Sequence, residues 1–597
     1  MKNLVHTVSL PLLLVMLIVM AFTPNSASAA TFTVTKIADT NDGTCDADCS
    51  LREAITAANA AGGTDTINFA IPGTGVHTIQ PTSSLPDISS PVIIDGYSQS
   101  GSNPNTAVSP NPLNGTITIQ LDGQLSGGAS NGITFVSGSD GSQVKGLVIN
   151  RFALDGIDIV DAGSISVTGN YIGTDTNGMT DLGNGGRGVG SVTNVVSNNN
   201  LVGGTSPAER NVISGQSGSA GNEGIAICNV CNDWIVQGNY IGVGSDGQTA
   251  IPNEDAGISS NTGSAGMLIG GTSSGATNVI AANDDAVNGS QASLYSDGAL
   301  INNIIGTDYT KTLNLGTAAF GVGAQGNNNS IQGNTIRFSK LAGLFLAASS
   351  NTLIGGTTAA QANTITNNGG GVMVGSIGGA GGLNNSIIGN SIYDNAGGAI
   401  SGLDIDLLGN TNDFLSFSSL GVTPNDTGDP DVTSNVLMNF PVINSISSSN
   451  GQVTINYNLD INNSETGALG YRIEFFANDS PNPSGHGGGQ TLLGVDNIDG
   501  DVTNRSLTLT LPAGVSGAKY ISATTTMKDA STDGFGHTSE FGSNALATLH
   551  AASLDNNLAD TGQNLQIIQL FGLVVITGGL AIIMRLARKG RTGISGR

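Results

Sequence analysis

Histidine, tryptophan, cysteine and charge are all scarce in this chain. Of 597 residues, five are His, four are Cys and one is Trp, and only 11% are charged, against about 25% in ordinary globular domains. No Ser/His/Asp set and no nucleotide-binding loop is present, and between residues 67 and 420 the sole histidine is His77. Basic residues number 19 against 44 acidic, giving a net charge of −25. Nucleic-acid binding rests on neutralising phosphates with Lys and Arg, so that class is excluded. Polyanionic glycans are disfavoured too, unless a divalent cation bridges the two. With aromatics at 4%, any core has to be aliphatic.

Glycine is what the chain has instead: 88 residues, close to twice the usual ~7%. There is no triplet period, which excludes collagen, and the many short Ile/Val/Leu runs argue against disorder. Short strands that turn often, with Gly and Asn at the corners, fit this composition. Two phrases recur. Gly169-Asn170-Tyr171-Ile172-Gly173 returns as Gly238-Asn239-Tyr240-Ile241-Gly242 and, loosely, as Asn302-Asn303-Ile304-Ile305-Gly306. Leu201-Val202-Gly203-Gly204-Thr205 returns at Leu268 and again at Leu353. The first two copies begin at Gly169 and Gly238 in one series, and at Leu201 and Leu268 in the other. Nearly equal spacing in two independent phrases marks a repeat architecture. Residues 67–420 therefore read as a β-solenoid. Asn150 and Asn170 read as one corner of successive rungs, which predicts rungs of about 20 residues and three rungs per long repeat. The recurring asparagines read as scaffold at stacked corners.

The ends place the chain outside the cytosol. Residues 1–29 carry Lys2, an apolar stretch and Ala27-Ser28-Ala29, the layout of a secretory signal. Near the other end, Leu558-Ala559-Asp560-Thr561-Gly562 precedes an apolar segment at 565–584 and a basic tail at 585–597. The apolar length suits a bilayer span, and the basic tail a cytoplasmic end. That order resembles the cell-wall sorting signal of Gram-positive surface proteins, which implies sortase cleavage between Thr561 and Gly562. Ala559 stands where that family has Pro, so a plain membrane anchor is the alternative. In such a compartment Cys45 with Cys49 and Cys228 with Cys231 are expected as two local disulfides.

Ser50 and Glu53 form a capping box ahead of a short helix with Leu51, Ile55 and Ala58 on one face, a suitable lid for a solenoid end. The segment Cys49-Ser50-Leu51-Arg52-Glu53-Ala54, with Asp65-Thr66-Ile67-Asn68-Phe69 and Pro91-Val92-Ile93-Ile94-Asp95-Gly96, resembles the bacterial CSLREA family. The resemblance implies a secreted, right-handed parallel β-helix, often surface-anchored. It brings fold and location but no chemistry. From residue 421 the pattern changes: an acidic linker at 421–437, then alternating strands at 438–550 that resemble an immunoglobulin-like β-sandwich, then a stalk at 551–564.

Three groups of residues are candidates for chemistry. Asn425, Asp426, Asp429 and Asp431, with Asp404 and Asp406 upstream, offer oxygen ligands for calcium, against a simple solvated linker. Asp155, Asp158 and Asp161, with Asp175 beyond, lie on one face and offer calcium binding or an acid/base pair, with Arg151 and Lys145 as the nearest bases. Asn283-Asp284-Asp285 faintly resembles the paired Asp of polygalacturonases, but the Gly-His-Gly that should follow is found only at Gly485-His486-Gly487. The expectation is therefore a surface-anchored β-helix that adheres to another cell surface or binds an extracellular glycan. A polysaccharide lyase or glycoside hydrolase on the same scaffold is the alternative.

Overall fold

The computed structural model describes residues 29–191, 196–218, 221–283, 290–375, 382–397, 402–409, 421–462, 468–529 and 534–552. The signal segment up to residue 28, the Leu558–Gly562 motif, the 565–584 apolar segment and the basic tail lie outside these. So do Asp284 and Asp285. Among the described residues no helix is long and apolar enough to cross a membrane.

Three parallel sheets wind round one another, each coil from residue 143 onward adding a strand to every sheet. The first runs through twelve strands from Thr31–Val34 to Ser386–Ile388, the second through eleven from His77–Ile79 to Ser391–Tyr393, and the third through ten from Ile133–Phe135 to Ile405–Leu407. The fold is a parallel β-helix. Alternate residues of each strand point inward and stack on their equivalents. In the second sheet Ile149, Ile172, Ile213, Ile241, Ile280, Ile305, Ile336, Ile365 and Ile392 form one buried column. β-Branched side chains on so narrow a core explain why aromatics are hardly needed.

The coils are longer than the sequence predicts, and unequal. Gln143 pairs with Ser166 and Ser166 with Leu201, so one coil runs from 143 to 166 and the next from 166 to 201. Tyr171 pairs with Val212 and Val212 with Tyr240. The long repeat from Tyr171 to Tyr240 is thus two coils, not three. Asn150 and Asn170 occupy different positions: Asn170 belongs to the column after the first sheet, while Asn150 is the last residue of the second-sheet strand Leu147–Asn150 and donates to Thr174 O at 2.8 Å.

At the amino end the helix Leu51–Ala61 packs on strands Thr31–Val34 and Asp65–Phe69. The capping box is formed: Ser50 N–H donates to Glu53 Oε2 at 2.7 Å, and Glu53 N–H to Ser50 Oγ at 3.2 Å. Leu51, Ile55 and Ala58 join the same buried core as Val34 and Ile67. Disulfides join Cys45 to Cys49 and Cys228 to Cys231.

Over the coils of Arg210 to Thr277 the outer face of the second sheet is covered by a strap at 103–116. Arg210, 1% exposed, fixes it by donating from Nη1 to Ala107 O and Asn111 O at 2.9 and 2.7 Å, and from Nε to Gly238 O at 2.9 Å. Ser109 Oγ reaches Thr277 O, and the Tyr240 hydroxyl donates to Pro110 O. Beneath the strap Tyr171, Val212, Tyr240 and Val279 form a second apolar cluster.

Beyond the coils stand two antiparallel sheets. One holds Val442–Ser449, Gln452–Leu459 and Val502–Thr510; the other holds Thr491–Ile498, Ala468–Asn478, Gly517–Asp529 and Ala545–Leu549. They share a core of Ile455, Tyr457, Ile473, Phe475 and Ile521. The segment expected as a free linker is partly docked: Asn435 donates its N–H to Gly382 O, and its Oδ1 accepts from Asn385 N–H at 2.9 Å.

Candidate functional site

Five strands of the third sheet open on the same pattern: Asn131-Gly132-Ile133, Asp155-Gly156-Ile157, Arg187-Gly188-Val189, Glu223-Gly224-Ile225 and Ala256-Gly257-Ile258. The glycine N–H of each of the first four bonds the carbonyl of the residue before the next glycine: Gly132 to Asp155, Gly156 to Arg187, Gly188 to Glu223 and Gly224 to Ala256. Asn131, Asp155, Arg187, Glu223 and Ala256 are therefore stacked one per coil, about 4.8 Å apart. Glycine is required for that closeness. A Cβ on Gly156 would sit 2.7 Å from Ile172 Cγ2 and 2.9 Å from Gly188 O.

Arg187 is the centre of this column. Its backbone N–H donates to Asp155 Oδ1 at 2.7 Å, its Nη1 lies 3.7 Å from Asp155 Oδ2, and its Nε lies 3.3 Å from Glu223 Oε2. The side chain runs over Gly190, where a Cβ would come within 2.5 Å of Arg187 Cδ. Asp158 lies three residues on from Asp155, in the middle of the strand Ile157–Ile159, its Oδ2 accepting from Asn131 Nδ2 at 3.0 Å. Glu223 Oε1 accepts from Ser259 Oγ at 3.3 Å. Asp158, Gly190, Ala226 and Ser259 are in register on successive coils. Gly190, Ala226 and Ser259 thus form a line of small residues about 10 Å long, two strand spacings, beside the charged column; Ala226 is buried, and Gly190 lies under the Arg187 side chain.

The electrostatics are set by burial. It pushes the carboxyls of Asp155 and Glu223 upward, with Arg187 opposing, and it pushes Asp158 up to about 6, with the neighbouring Asp155 charge adding to the effect. Asp158 Oδ1, Arg187 Nε and Glu223 Oε2 are enclosed without a well-aligned hydrogen bond. A carboxyl that keeps its proton near pH 6 can donate one, and an ionised neighbour can accept one. The arrangement also suits holding sugar hydroxyls.

Of the residues singled out from sequence, Asp155 and Asp158 are brought together here. Asp161 is exposed beyond the strand end, and Asp175 is spent on its own turn, accepting from Met179 and Thr180 N–H. Arg151 and Lys145 are engaged elsewhere, with Asp122 and Asp95. The base of the cluster is Arg187, and it and Glu223 were missed. Asn283 is buried, with its side chain bonded to Gln291. In the linker region Asp429 is 2% exposed and accepts from Asn439 N–H at 3.2 Å. Burial and then the charge of Asp426 raise the Asp431 carboxyl. Asp404 and Asp406 are buried at the junction with the sandwich, not in the linker. Among the described residues no group of three or more His, Cys, Asp or Glu is placed to hold a metal ion. A cleft of about 420 Å³ at the sandwich edge, lined by 450–452, 510–516, Ala551 and Ala552, contains no titratable side chain.

No family model and no curated protein matches the sequence. Among solved structures the chain is similar to the Dettilon tailspike protein (14% identity, 85% of this chain and 77% of that one, TM-score 0.27). It is also similar to the A-module of the Azotobacter vinelandii mannuronan C-5 epimerase AlgE4 (13% identity, 62% and 90%, TM-score 0.30). A third is the catalytic unit of an α-1,3-glucanase from Streptomyces thermodiastaticus (12% identity, 60% and 68%, TM-score 0.30). Superpositions this loose transfer no residue role, and the fold rests on the strand pairings themselves.

Proposed function

We propose that this protein engages an extracellular glycan along the outer face of the third sheet, at the coils carrying Asp155, Asp158, Arg187 and Glu223. The observation that supports it is the column itself: carboxyls from separate coils gathered on one guanidinium, with Asp158, Arg187, Glu223 and Ser259 all partly exposed. Acceptors and donors spaced at the strand repeat suit a chain molecule lying along the helix axis. At the coils of Arg210 to Thr277 the outer face of the second sheet is closed to such a ligand by the strap. Hydrolysis is a second reading, favoured by one feature, the raised Asp158 carboxyl, which has the property a glycosidase acid needs.

The test is incubation of the full chain with neutral and acidic glycans, with and without calcium. Retention lost in Asp158→Asn and Glu223→Gln supports the site, and new reducing ends support hydrolysis. Retention unchanged in both variants overturns it. The sequence order of signal, sorting-like motif, apolar segment and basic tail, with the CSLREA resemblance, supports a secreted right-handed β-helix with an immunoglobulin-like sandwich, held at a cell surface. Mass spectrometry of wall fragments ending at Thr561 distinguishes sortase attachment from a membrane anchor.

A further inference from the structure

Two surfaces of the coils are covered. The last coil ends against the sandwich: Ile387 N–H donates to Thr538 Oγ1 and Gly389 N–H to Glu474 Oε2, both at 2.9 Å. Ile392 pairs with Gly489 as an antiparallel bridge, and Leu407 N–H donates to Glu540 Oε1 at 3.0 Å. Asp404 Oδ2 accepts there from Asn482 Nδ2 at 3.0 Å. The strap closes the second sheet over its middle coils. The outer face of the third sheet stays accessible at Asp158, Arg187, Glu223 and Ser259, and its chemistry is lopsided.

Its cation is already engaged. Arg187 has Asp155 on one side and Glu223 on the other, at 3.7 and 3.3 Å. Glycines make room for it: a Cβ on Gly190 would come within 2.5 Å of Cδ, and one on Gly221 within 2.5 Å of Nη2. Lys145 and Arg151, nearby in sequence, pair with Asp95 and Asp122. The acids reach further than this one guanidinium. Asp87 precedes Ile88, which pairs with Phe135, so it holds the outward register of Asp158 two coils earlier. The charge of Asp87 bears on Asp158, and that of Asp255 on Glu223. With Asp155 these acids line a strip of five strand spacings, about 24 Å, from the coil of Ile88 to that of Ile258.

Donors are spent as well. Asn131 gives Nδ2 to Asp158 Oδ2 and Thr134 Oγ1 at 3.0 and 3.2 Å, and Ser259 gives its hydroxyl to Glu223 Oε1. Acceptors remain. Asp155 is 6% exposed, and its Oδ2, 3.7 Å from Arg187 Nη1, stands beyond hydrogen-bond distance. Asp158 Oδ1 and Glu223 Oε2 also lack a hydrogen bond. A ligand carboxylate would meet a guanidinium already held by two acids and would add like charge to the strip. A sugar hydroxyl brings one donor together with its acceptors. An ammonium brings three donors, no acceptor and the missing charge. Resting on the glycan reading above, we propose that the polymer bound along this face carries free, protonated amino groups.

The test measures binding of the full chain, near pH 6, to three immobilised oligosaccharides of equal length: β-1,4-linked glucosamine, its fully N-acetylated form, and oligogalacturonate. The amino form should bind at least about tenfold more tightly than the acetylated one, the worth of one charge-assisted hydrogen bond. The galacturonate should not be retained. Asp158→Asn combined with Glu223→Gln should weaken the amino form at least about tenfold. Asp297→Asn combined with Asp394→Asn removes two charges at exposed positions outside the strip, and should change binding less than about twofold. If the first pair does not fold, Asp87→Asn on its exposed side chain should still cost about twofold. No binding of the amino form overturns the proposal. So does an equal loss in the control pair, which would mark diffuse attraction of a polycation to an acidic protein. Equal or tighter binding of the acetylated form or the galacturonate, lost in the site pair, overturns the amino group and leaves the glycan reading intact. The glycan reading falls separately, when the site pair changes retention of no glycan.

Discussion

Asn211 gives both its backbone N–H and its side-chain Nδ2 to one atom, Asn239 Oδ1, at 3.2 and 2.9 Å. Asn239 does the same to Asn278, and the pattern continues through Asn303, Asn334, Asn363 and Asn390. Each Nδ2 also reaches back to a strand carbonyl, as Asn239 does to Val202 O. One residue type, by accepting twice and donating twice, satisfies a corner that would otherwise bury unpaired backbone.

Asn239→Ala should consequently cost about 3 kcal/mol, since it orphans the Val202 carbonyl and the donors of Asn211 together. Asn177, exposed on a turn, should cost less than about 0.5 kcal/mol when replaced by Ala. Chemical denaturation of both variants checks this. Equal midpoints would refute the ladder's energetic role.

Arg210→Met should free the strap. The replacement keeps much of the buried volume but removes three hydrogen bonds to carbonyls, about 2–4 kcal/mol in all. Limited proteolysis should then cut within 103–116 while the wild type stays intact there. An uncut strap in the variant would show that Ser109, Tyr240 and Asn105, whose Nδ2 donates to Pro207 O at 2.7 Å, suffice to hold it.

Asp158→Asn should separate stability from function. A carboxyl raised to about 6 contributes stability that is lost as the pH rises from 3.8 to that value. At pH 7 the charged form is therefore a burden, and the amide should stabilise by about 1 kcal/mol after allowance for partial exposure. Thermal melts at pH 4 and pH 7 read this. Under the proposed glycan reading the same variant loses ligand retention. A variant less stable at pH 7 than the wild type would count against the assignment.

His537→Gln should flatten one limb of the pH profile. Buried His537 is held down to about 4, so folding loses about 3 kcal/mol from this group as the pH falls from 6.5 towards 4. The difference between variant and wild type across that range isolates the effect from the carboxyls, which titrate in both. Parallel curves would exclude it.

The repeat was legible because Gly, Asn and Ile recur wherever a corner and an inward strand position recur. The coil count was not, because coils as unequal as 143–166 and 166–201 absorb their extra length in outward turns that leave no periodic trace. The site was legible in half. Asp155 and Asp158 lie on one strand and are neighbours in sequence. Arg187 and Glu223 reach them only through stacking, and the clue was the glycine that follows each of Asp155, Arg187 and Glu223. The junction could not be read at all: Glu540 and Asp404 stand in different sheets' territory, on opposite sides of the linker, and nothing local links them.

The sandwich also sets the length of the rod. A parallel stack ending in bare strands is a template on which another copy could continue the same three sheets. Here every last-coil edge is answered by an unlike surface: an antiparallel bridge at Gly489, hydroxyls and carboxylates elsewhere. Those groups satisfy the edge without offering a matching one in return. Each molecule is thereby a terminated polymer of its own coils, and head-to-tail growth into fibres is blocked at this end by chemistry that cannot be copied onward.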